Sequence, residues 1–381
     1  METAITKLRI LHLISTLDVG GAEMNLLRLV RSISREFDNH VVSLTTIGPL
    51  GDKIRDLGVH VQALSMGKGM PDPRGVVKLA GVIRRFQPDI IQCWMYHANL
   101  LGLAVSRKRR LVWNIRCTDM DLAGYGVVYR WTVRAGALFS SIPDAVVINS
   151  LAGRDFHASL GYSPRKWDVI ANGFDTAIYR PDASSGQYIR ARLGIPEGAP
   201  VIGLVSRYDP MKDHATFFRA ASLLSQKNSA VHFILAGRGM TEGSSELSPH
   251  LAVVEKIRNI HLMGHRDDIP RVLNALDIAS SSSISEGLPN AIGEAMATGV
   301  PCVVTDAGDS ALLVGDTGVV VPKRDPEALC AAWQRLLDAG PDSRRAMGER
   351  ARKRIMDHYS LQAMINRYED LYRNLTSGRE S

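Results

Sequence analysis

Ser285-Glu286-Gly287-Leu288-Pro289-Asn290-Ala291-Ile292-Gly293-Glu294-Ala295-Met296-Ala297-Thr298-Gly299-Val300-Pro301 is the stretch on which the rest of the chain hangs. Ahead of it, Ala275-Leu276-Asp277-Ile278-Ala279 and the four serines 280–283 read as a strand entering a polar turn. From Leu288 onward Ile292, Ala295 and Met296 recur at helical spacing, and Gly299 before Pro301 marks the stop. A helix so placed aims its first amides, and the positive end of its dipole, at whatever lies above Gly287 and Leu288. An anionic ligand suits that position. Glu286 stands at its mouth and Glu294 two helical turns further in, so two carboxylates flank one anion site. Two bare glutamates on a strand-helix unit are usually solvated; here glycines, proline and both acids stand together.

The string resembles the Glu-x7-Glu signature of retaining glycosyltransferases with the GT-B fold, of the glycosyltransferase 4 type. The resemblance implies an α/β protein with two Rossmann-like domains facing each other across a cleft, and a C-terminal helix crossing back to the first. It implies that Glu286 lies by the donor sugar, that the backbone of Gly287, Leu288 and Pro289 lies against the phosphates, and that Glu294 binds ribose hydroxyls. Pro289 has no N–H to give. The donor, a UDP- or GDP-sugar, would be a substrate, and no cofactor is implied.

Upstream, Ser206-Arg207-Tyr208-Asp209-Pro210-Met211-Lys212-Asp213 follows a strand and resembles the family's Arg-x4-Lys loop. Sugar transfer builds negative charge on a departing diphosphate, and fixed cations lower the barrier by binding it better as that charge grows. Arg207 and Lys212 are assigned that task. Gly237-Arg238-Gly239 and Met263-Gly264-His265-Arg266-Asp267-Asp268 resemble loops lining the nucleobase pocket, which makes Arg238 and Arg266 donor-side residues. Thr305-Asp306-Ala307-Gly308-Asp309 departs modestly from the usual Thr-Asp-x-Gly-Gly.

The N-terminal half resembles the family more sparsely. Leu17-Asp18-Val19-Gly20-Gly21-Ala22-Glu23 is similar to its glycine loop, so Gly20 and Gly21 are expected against donor and acceptor. An NAD loop would need an acid about 20 residues on, and the second strand ends Leu44-Thr45-Thr46. Val169-Ile170-Ala171-Asn172-Gly173-Phe174-Asp175 is similar to the interdomain signature. Where the family often carries a His after the fifth strand, this chain has Arg116-Cys117. Arg116, His97 and Asn172 are the acceptor-side candidates. Asp119-Met120-Asp121 imitates a metal site of another glycosyltransferase fold, but three residues match easily by chance. With Arg207, Lys212 and a helix end to take the electrostatic role, no metal is expected.

The 381 residues exceed one ordinary core, and the element pattern restarts midway. Strands are expected at 8–14, 40–46, 59–64, 88–94, 111–115 and 145–149, with helices between them. Residues 176–198 read as a linker holding one short helix. Further strands follow at 201–206, 231–236, 260–263, 303–304 and 319–322, and an amphipathic helix closes the chain from 360 to 376. Strands alternating with helices argue for parallel sheets covered on both faces. The domains expected are 1–180 for the acceptor, 181–359 for the nucleotide-sugar, and 360–381 packing back.

No apolar run reaches the ~20 residues that span a bilayer, and the opening strand lacks signal-peptide features. Four scattered cysteines indicate neither zinc nor a disulfide framework, which fits a cytoplasmic protein. The net charge of +7 is uneven: residues 1–180 hold 23 Lys and Arg against 15 Asp and Glu, or +8, and the remainder 23 against 24, or −1. Arg107, Lys108, Arg109 and Arg110 form the densest run. Such runs are usually solvated loops; an anionic membrane surface, at the inner face of the membrane, or an anionic acceptor is the sharper alternative. No nucleic-acid signature accompanies the charge. The function expected is retaining transfer of a sugar to a glycan or lipid-linked acceptor. A nucleotide-sugar epimerase of the same fold and a non-catalytic nucleotide-sugar-binding protein are the alternatives.

Overall fold

The computed structural model describes residues 7–67, 72–118, 126–257 and 259–377. It divides into two compact units, Met1–Gly173 with Leu361–Ser381, and Phe174–Ser360. The division falls at Gly173/Phe174 rather than at 180/181, and Phe174 packs on the helix Asn290–Ala297 of the second unit. Its ring fills the space where a Cβ on Gly293 would stand, within 2.0 Å.

In the first unit seven parallel strands pair in the order β3-β2-β1-β4-β5-β6-β7. They are β1 (Leu8–Ile14), β2 (Phe37–Ser43), β3 (His60–Ala63), β4 (Ile90–Trp94), β5 (Arg110–Ile115), β6 (Ala145–Ile148) and β7 (Trp167–Val169). Between them run α1 (Gly21–Ser32), α2 (Gly48–Arg55), α3 (Pro73–Phe86), α4 (Tyr96–Ser106), α5 (Val127–Phe139) and α6 (Leu151–Ser159). Helices on both faces explain why β4 and β6 are buried at every residue, β6 as an unbroken apolar run and β4 with Gln92 alone interrupting its apolar residues. β2 begins three residues earlier than its apolar pattern suggested. Its polar start, Asp38-Asn39-His40, pairs with β1, and Leu44 follows the ladder with an amide bond to the Ile14 carbonyl.

The second unit repeats the plan, with the order β10-β9-β8-β11-β12-β13. Its strands are β8 (Val201–Val205), β9 (His232–Ala236), β10 (Ile260–Leu262), β11 (Ile278–Ser281), β12 (Cys302–Thr305) and β13 (Gly318–Val321). Its helices are α7 (Ala183–Arg192), α8 (His214–Lys227), α9 (Leu251–Val254), α10 (Ile269–Asn274), α11 (Asn290–Ala297), α12 (Ser310–Val314), α13 (Pro326–Asp338) and α14 (Gly340–His358). Asp182, Asp213 and Asp325 cap α7, α8 and α13, each accepting a first-turn amide. α14 was not legible as an amphipathic helix. It buries only Gly348, Ala351 and Ile355, and is fastened by Arg352 and Arg354 donating to carbonyls of Thr176, Tyr179, Ala297, Leu312 and Leu313.

The last helix, α15 (Leu361–Thr376), belongs to the first unit. Met364, Ile365, Tyr368, Leu371 and Tyr372 enter one core with Ile10, Ile14 and Trp94. The terminal amphipathic pattern predicted such a partner surface. No helix among the described residues is long and apolar enough to cross a membrane.

Candidate active site

In the second sheet the direction of winding reverses between β8 and β11, with β9 and β10 to one side and β12 and β13 to the other. Loops leaving the carboxyl ends of such a strand pair diverge and open a crevice. The loop after β8 carries Arg207 and Lys212; the loop after β11 carries residues 282–289. Three bonds fasten the two loops to their surroundings. Ser282 Oγ donates to the Lys212 carbonyl at 2.9 Å, the Ile284 amide to the Met211 carbonyl at 2.8 Å, and Thr305 Oγ1 to the Ser283 carbonyl at 2.5 Å.

Lys212 Nζ donates to Glu286 Oε1 at 2.6 Å, and Ser283 Oγ to the same oxygen at 2.7 Å. The Glu286 side chain is 11% exposed and that of Lys212 26%. They line a cavity of about 40 Å³ with Ser206, Pro289, Asn290 and Ala291. α11 begins at Asn290, two residues after the sequence reading placed it, with Pro289 as its cap. The first turn of that helix, whose amides have no helical carbonyl to bond, therefore forms one wall of the cavity. Glu294 lies half-buried in its second turn.

A second set of contacts holds the Glu286 loop from above. Gly308 has φ +55°, and a Cβ there would lie 1.8 Å from the Glu286 carbonyl oxygen. The Asp309 amide donates to the Gly287 carbonyl at 2.9 Å. The loop 305–309, matched in sequence only as a modest departure from a pattern, thus fixes the backbone carrying Glu286. Ser283 is the serine of the Ser-x-x-Glu string that opens the family-like pattern, and the structure gives its hydroxyl a role there, holding Glu286.

The remaining donor-side candidates are not drawn to the same point. Arg207 is 65% exposed and pairs with Asp209 at 2.6 Å rather than with Glu286. Burial pushes the Asp209 carboxyl up, but hydrogen bonds from Arg207 and the Met211 amide outweigh it and hold its pKa below the ordinary value. Arg238 is exposed, between Gly237 and Gly239. A Cβ on Gly237 would stand 1.9 Å from the Ser206 carbonyl oxygen, so this turn packs directly on the Arg207 loop. Arg266 is held by Asp268 at 2.7 and 2.6 Å, and lines a separate hollow of about 290 Å³ with Arg192, Glu242 and His261.

The acceptor-side candidates and Gly20 and Gly21 all lie in the first unit. Gly20 caps α1, and a Cβ there would meet only the flexible end of Glu23; Gly21 has open space. Arg116, just past β5, joins Asn172: its Nη2 donates to Asn172 Oδ1 at 2.8 Å. Its other guanidinium nitrogen reaches Tyr368 Oη at 3.4 Å, and the group sits 5.7 Å over the Trp94 ring. Burial lowers the Arg116 pKa, and Tyr368 opposes that shift. His97 stands apart, at the start of α4 near Tyr129, and burial lowers its pKa. Among the described residues no group of three His, Cys, Asp or Glu is placed to hold a metal ion. Asp119, Met120 and Asp121 lie outside the described residues.

Residues 19–178 match the family model described as Glycosyltransferase Family 4, and residues 199–339 the one described as Glycosyl transferases group 1. The chain belongs to these glycosyltransferases. It is 23% identical over 390 aligned residues to an Escherichia coli UDP-Gal:alpha-D-GlcNAc-diphosphoundecaprenol alpha-1,3-galactosyltransferase, covering 98% of each protein. It is 30% identical over 226 residues to a Salinispora tropica D-inositol 3-phosphate glycosyltransferase, covering 55% of this chain and 46% of that protein. Among solved structures it is similar to Anabaena Alr3699/HepE in complex with UDP, with TM-score 0.83, 20% identity and coverage of 96% and 100%. Sucrose-phosphate synthase from Thermosynechococcus elongatus gives TM-score 0.79 at 17% identity, covering 97% and 100%. The glycosyltransferase therefore has the GT-B fold of two Rossmann-like domains.

Proposed function

We propose that this glycosyltransferase moves a hexosyl group from a UDP-sugar to a lipid-linked glycan, with retention at the anomeric carbon and without a metal ion. The observation that carries the reading is the Lys212–Glu286 pair, set in a cavity walled by the first turn of α11 at the switch point of the second sheet. The diphosphate belongs over that turn, where helix amides and Lys212 meet its growing charge. Arg207 is exposed and two residues from its present partner, so it can turn to the same phosphates as a planar fork. Lys212 and Ser283 both hold Glu286 Oε1, which leaves Oε2 to accept from a sugar hydroxyl. Glu294 takes the ribose.

In the reaction the bond from the anomeric carbon to the phosphate oxygen breaks. The acceptor oxygen bonds to that carbon from the same face, and its proton passes to the departing phosphate. UDP is preferred to GDP because the E. coli relative is named for UDP-Gal and the Anabaena structure holds UDP. The lipid-linked acceptor follows the same relative's name, and an enzyme acting on such an acceptor would work at the inner face of the membrane.

Incubation with candidate UDP- and GDP-sugars and a diphospholipid-linked sugar tests this. Release of UDP with a glycosylated lipid is expected, undiminished by chelator. Glu286→Ala and Lys212→Met should each lower turnover ~10²-fold or more, and Glu294→Ala should mainly weaken UDP binding. An epimerised donor, or binding without turnover, refutes transfer. Activity that collapses with chelator refutes metal independence.

A further inference from the structure

Among the described residues fifteen large apolar side chains are exposed, and six fall within residues 127–142: Val127, Val128, Trp131, Leu138, Phe139 and Ile142. Five of the six lie on α5. The inner face of that helix is accounted for: Thr132, Val133 and Gly136 are buried, and Tyr162 Oη donates to the Val133 carbonyl. On the outer face Val127, Trp131, Arg134 and Leu138 recur at three- and four-residue spacing, so they form one stripe along the helix. Trp131 is 63% exposed and Leu138 76%. Contiguous apolar surface of this kind marks a contact rather than ordinary solvent exposure.

The charge on the helix identifies the partner. α5 contains Arg130 and Arg134 and no acidic residue. The Arg134 guanidinium lies 5.8 Å over the Trp131 ring, so cation and aromatic are presented together. A two-fold contact between copies of this face would set arginines against arginines, with no carboxylate on the helix to answer them. An anionic lipid surface answers both features, since phosphates meet the arginines while apolar side chains enter the acyl boundary. Tryptophan favours the headgroup level.

We propose that the outer face of α5 lies in the headgroup region of an anionic bilayer and seats the enzyme there. The sequence points for this role to the basic run Arg107, Lys108, Arg109 and Arg110 together with Arg130 and Arg134 beside Trp131, and of the two the run is the poorer candidate. Arg110 pairs with Asp144 at 2.9 Å and Arg109 donates to Gln87, which leaves Arg107 and Lys108 as its exposed members. The α5 surface gives the lipid-linked-acceptor reading its physical setting, and in that sense rests on it; its own observations are independent.

Co-sedimentation of the full chain with phosphatidylcholine vesicles, and with vesicles also containing phosphatidylglycerol, tests the proposal. Trp131→Ser with Leu138→Ser should weaken binding to the anionic vesicles at least ~10-fold, while Arg107→Ser with Lys108→Ser changes it little. An unchanged circular dichroism spectrum and thermal unfolding profile show that the variant is folded. On the wild type, brominated phosphatidylglycerol should quench tryptophan fluorescence, a readout that needs no variant. Equal binding by the Trp131/Leu138 variant overturns the proposal. So does wild-type protein that binds neither vesicle at low salt, or that self-associates without lipid through this same face. Vesicle binding that follows Trp131 while no donor is turned over supports the α5 surface and refutes the transfer reaction separately.

Discussion

Gly308→Ala is the sharpest probe of how the site is held, because it touches no ligand-facing side chain. The new Cβ would stand 1.8 Å from the Glu286 carbonyl oxygen, 2.6 Å from its carbon and 2.9 Å from the Gly287 oxygen. Contacts under 3.0 Å essentially do not occur, so the Glu286 peptide must retreat by more than ~1 Å. That peptide carries the carboxylate bonded to Lys212, and a shift of about 1 Å in a reacting constellation can cost ~10²-fold in rate. A second cost is conformational: alanine at φ +55° is strained by about 1 kcal/mol. Gly194→Ala isolates that second cost, since Gly194 has φ +64° and open space where its Cβ would stand. Donor turnover, UDP affinity and Tm would be measured for both variants. Gly308→Ala should lose ~10²-fold or more in kcat and melt lower than Gly194→Ala, which should keep wild-type turnover. Equal turnover by the two variants would falsify the claim that the 305–309 loop fixes Glu286.

Two further predictions concern packing within each unit. His214 Nε2 bonds Ser206 Oγ at 3.0 Å, its ring stacks on Tyr208, and burial lowers its pKa from 6.5 to about 4. Its neutral form is favoured in the folded state, so its contribution to stability is full above pH 6.5 and is lost as pH falls toward 4. Between pH 7 and pH 5, His214→Asn should lose about 2 kcal/mol less unfolding free energy than wild type, and parallel losses in denaturant titrations would count against this. Deleting residues 361–381 removes Tyr368 and Tyr372 from the core shared with Ile10 and Trp94, and Tyr368→Phe removes the hydroxyl that accepts from Asn114 at 2.7 Å. The deletion should abolish cooperative unfolding of the first unit, and the substitution should cost ~1–3 kcal/mol; a soluble, fully active truncation would show that α15 is dispensable.

What was legible in the sequence follows from how locally each feature is encoded. The parallel strands were visible because burial on both faces writes them as apolar runs, and Glu286 and Lys212 were each visible at the end of such a run. Their meeting across 74 residues is a consequence of β8 and β11 being neighbours, which the family resemblance implied and spacing alone does not. α14 stayed hidden because arginine-to-carbonyl bonds, rather than an apolar stripe, hold it. Partners two residues away also escaped notice. Asp209 and Asp268 occupy Arg207 and Arg266, and a count of cations does not reveal whether a neighbour has engaged them. At 107–110 the partners lie farther off, Asp144 for Arg110 and Gln87 for Arg109, and the run itself displays neither.

Arg116 shows where sequence and structure together reach further than either. The sequence reports only that arginine stands where related enzymes often have histidine. The structure adds that its hydrogen-bond partners, Asn172, Tyr368 and Asn114, are neutral, with Trp94 beneath. These come from segments up to 252 residues apart in the chain, so no local pattern foretold them. Buried cations are ordinarily paired, and a site that supplies only dipoles and a π face leaves the charge directed at something else. A guanidinium has five donors and no acceptor, so Arg116 cannot receive the proton of an acceptor hydroxyl. Under the proposed transfer, Arg116 offers no base in the first unit, and the departing phosphate is the group left to take the proton.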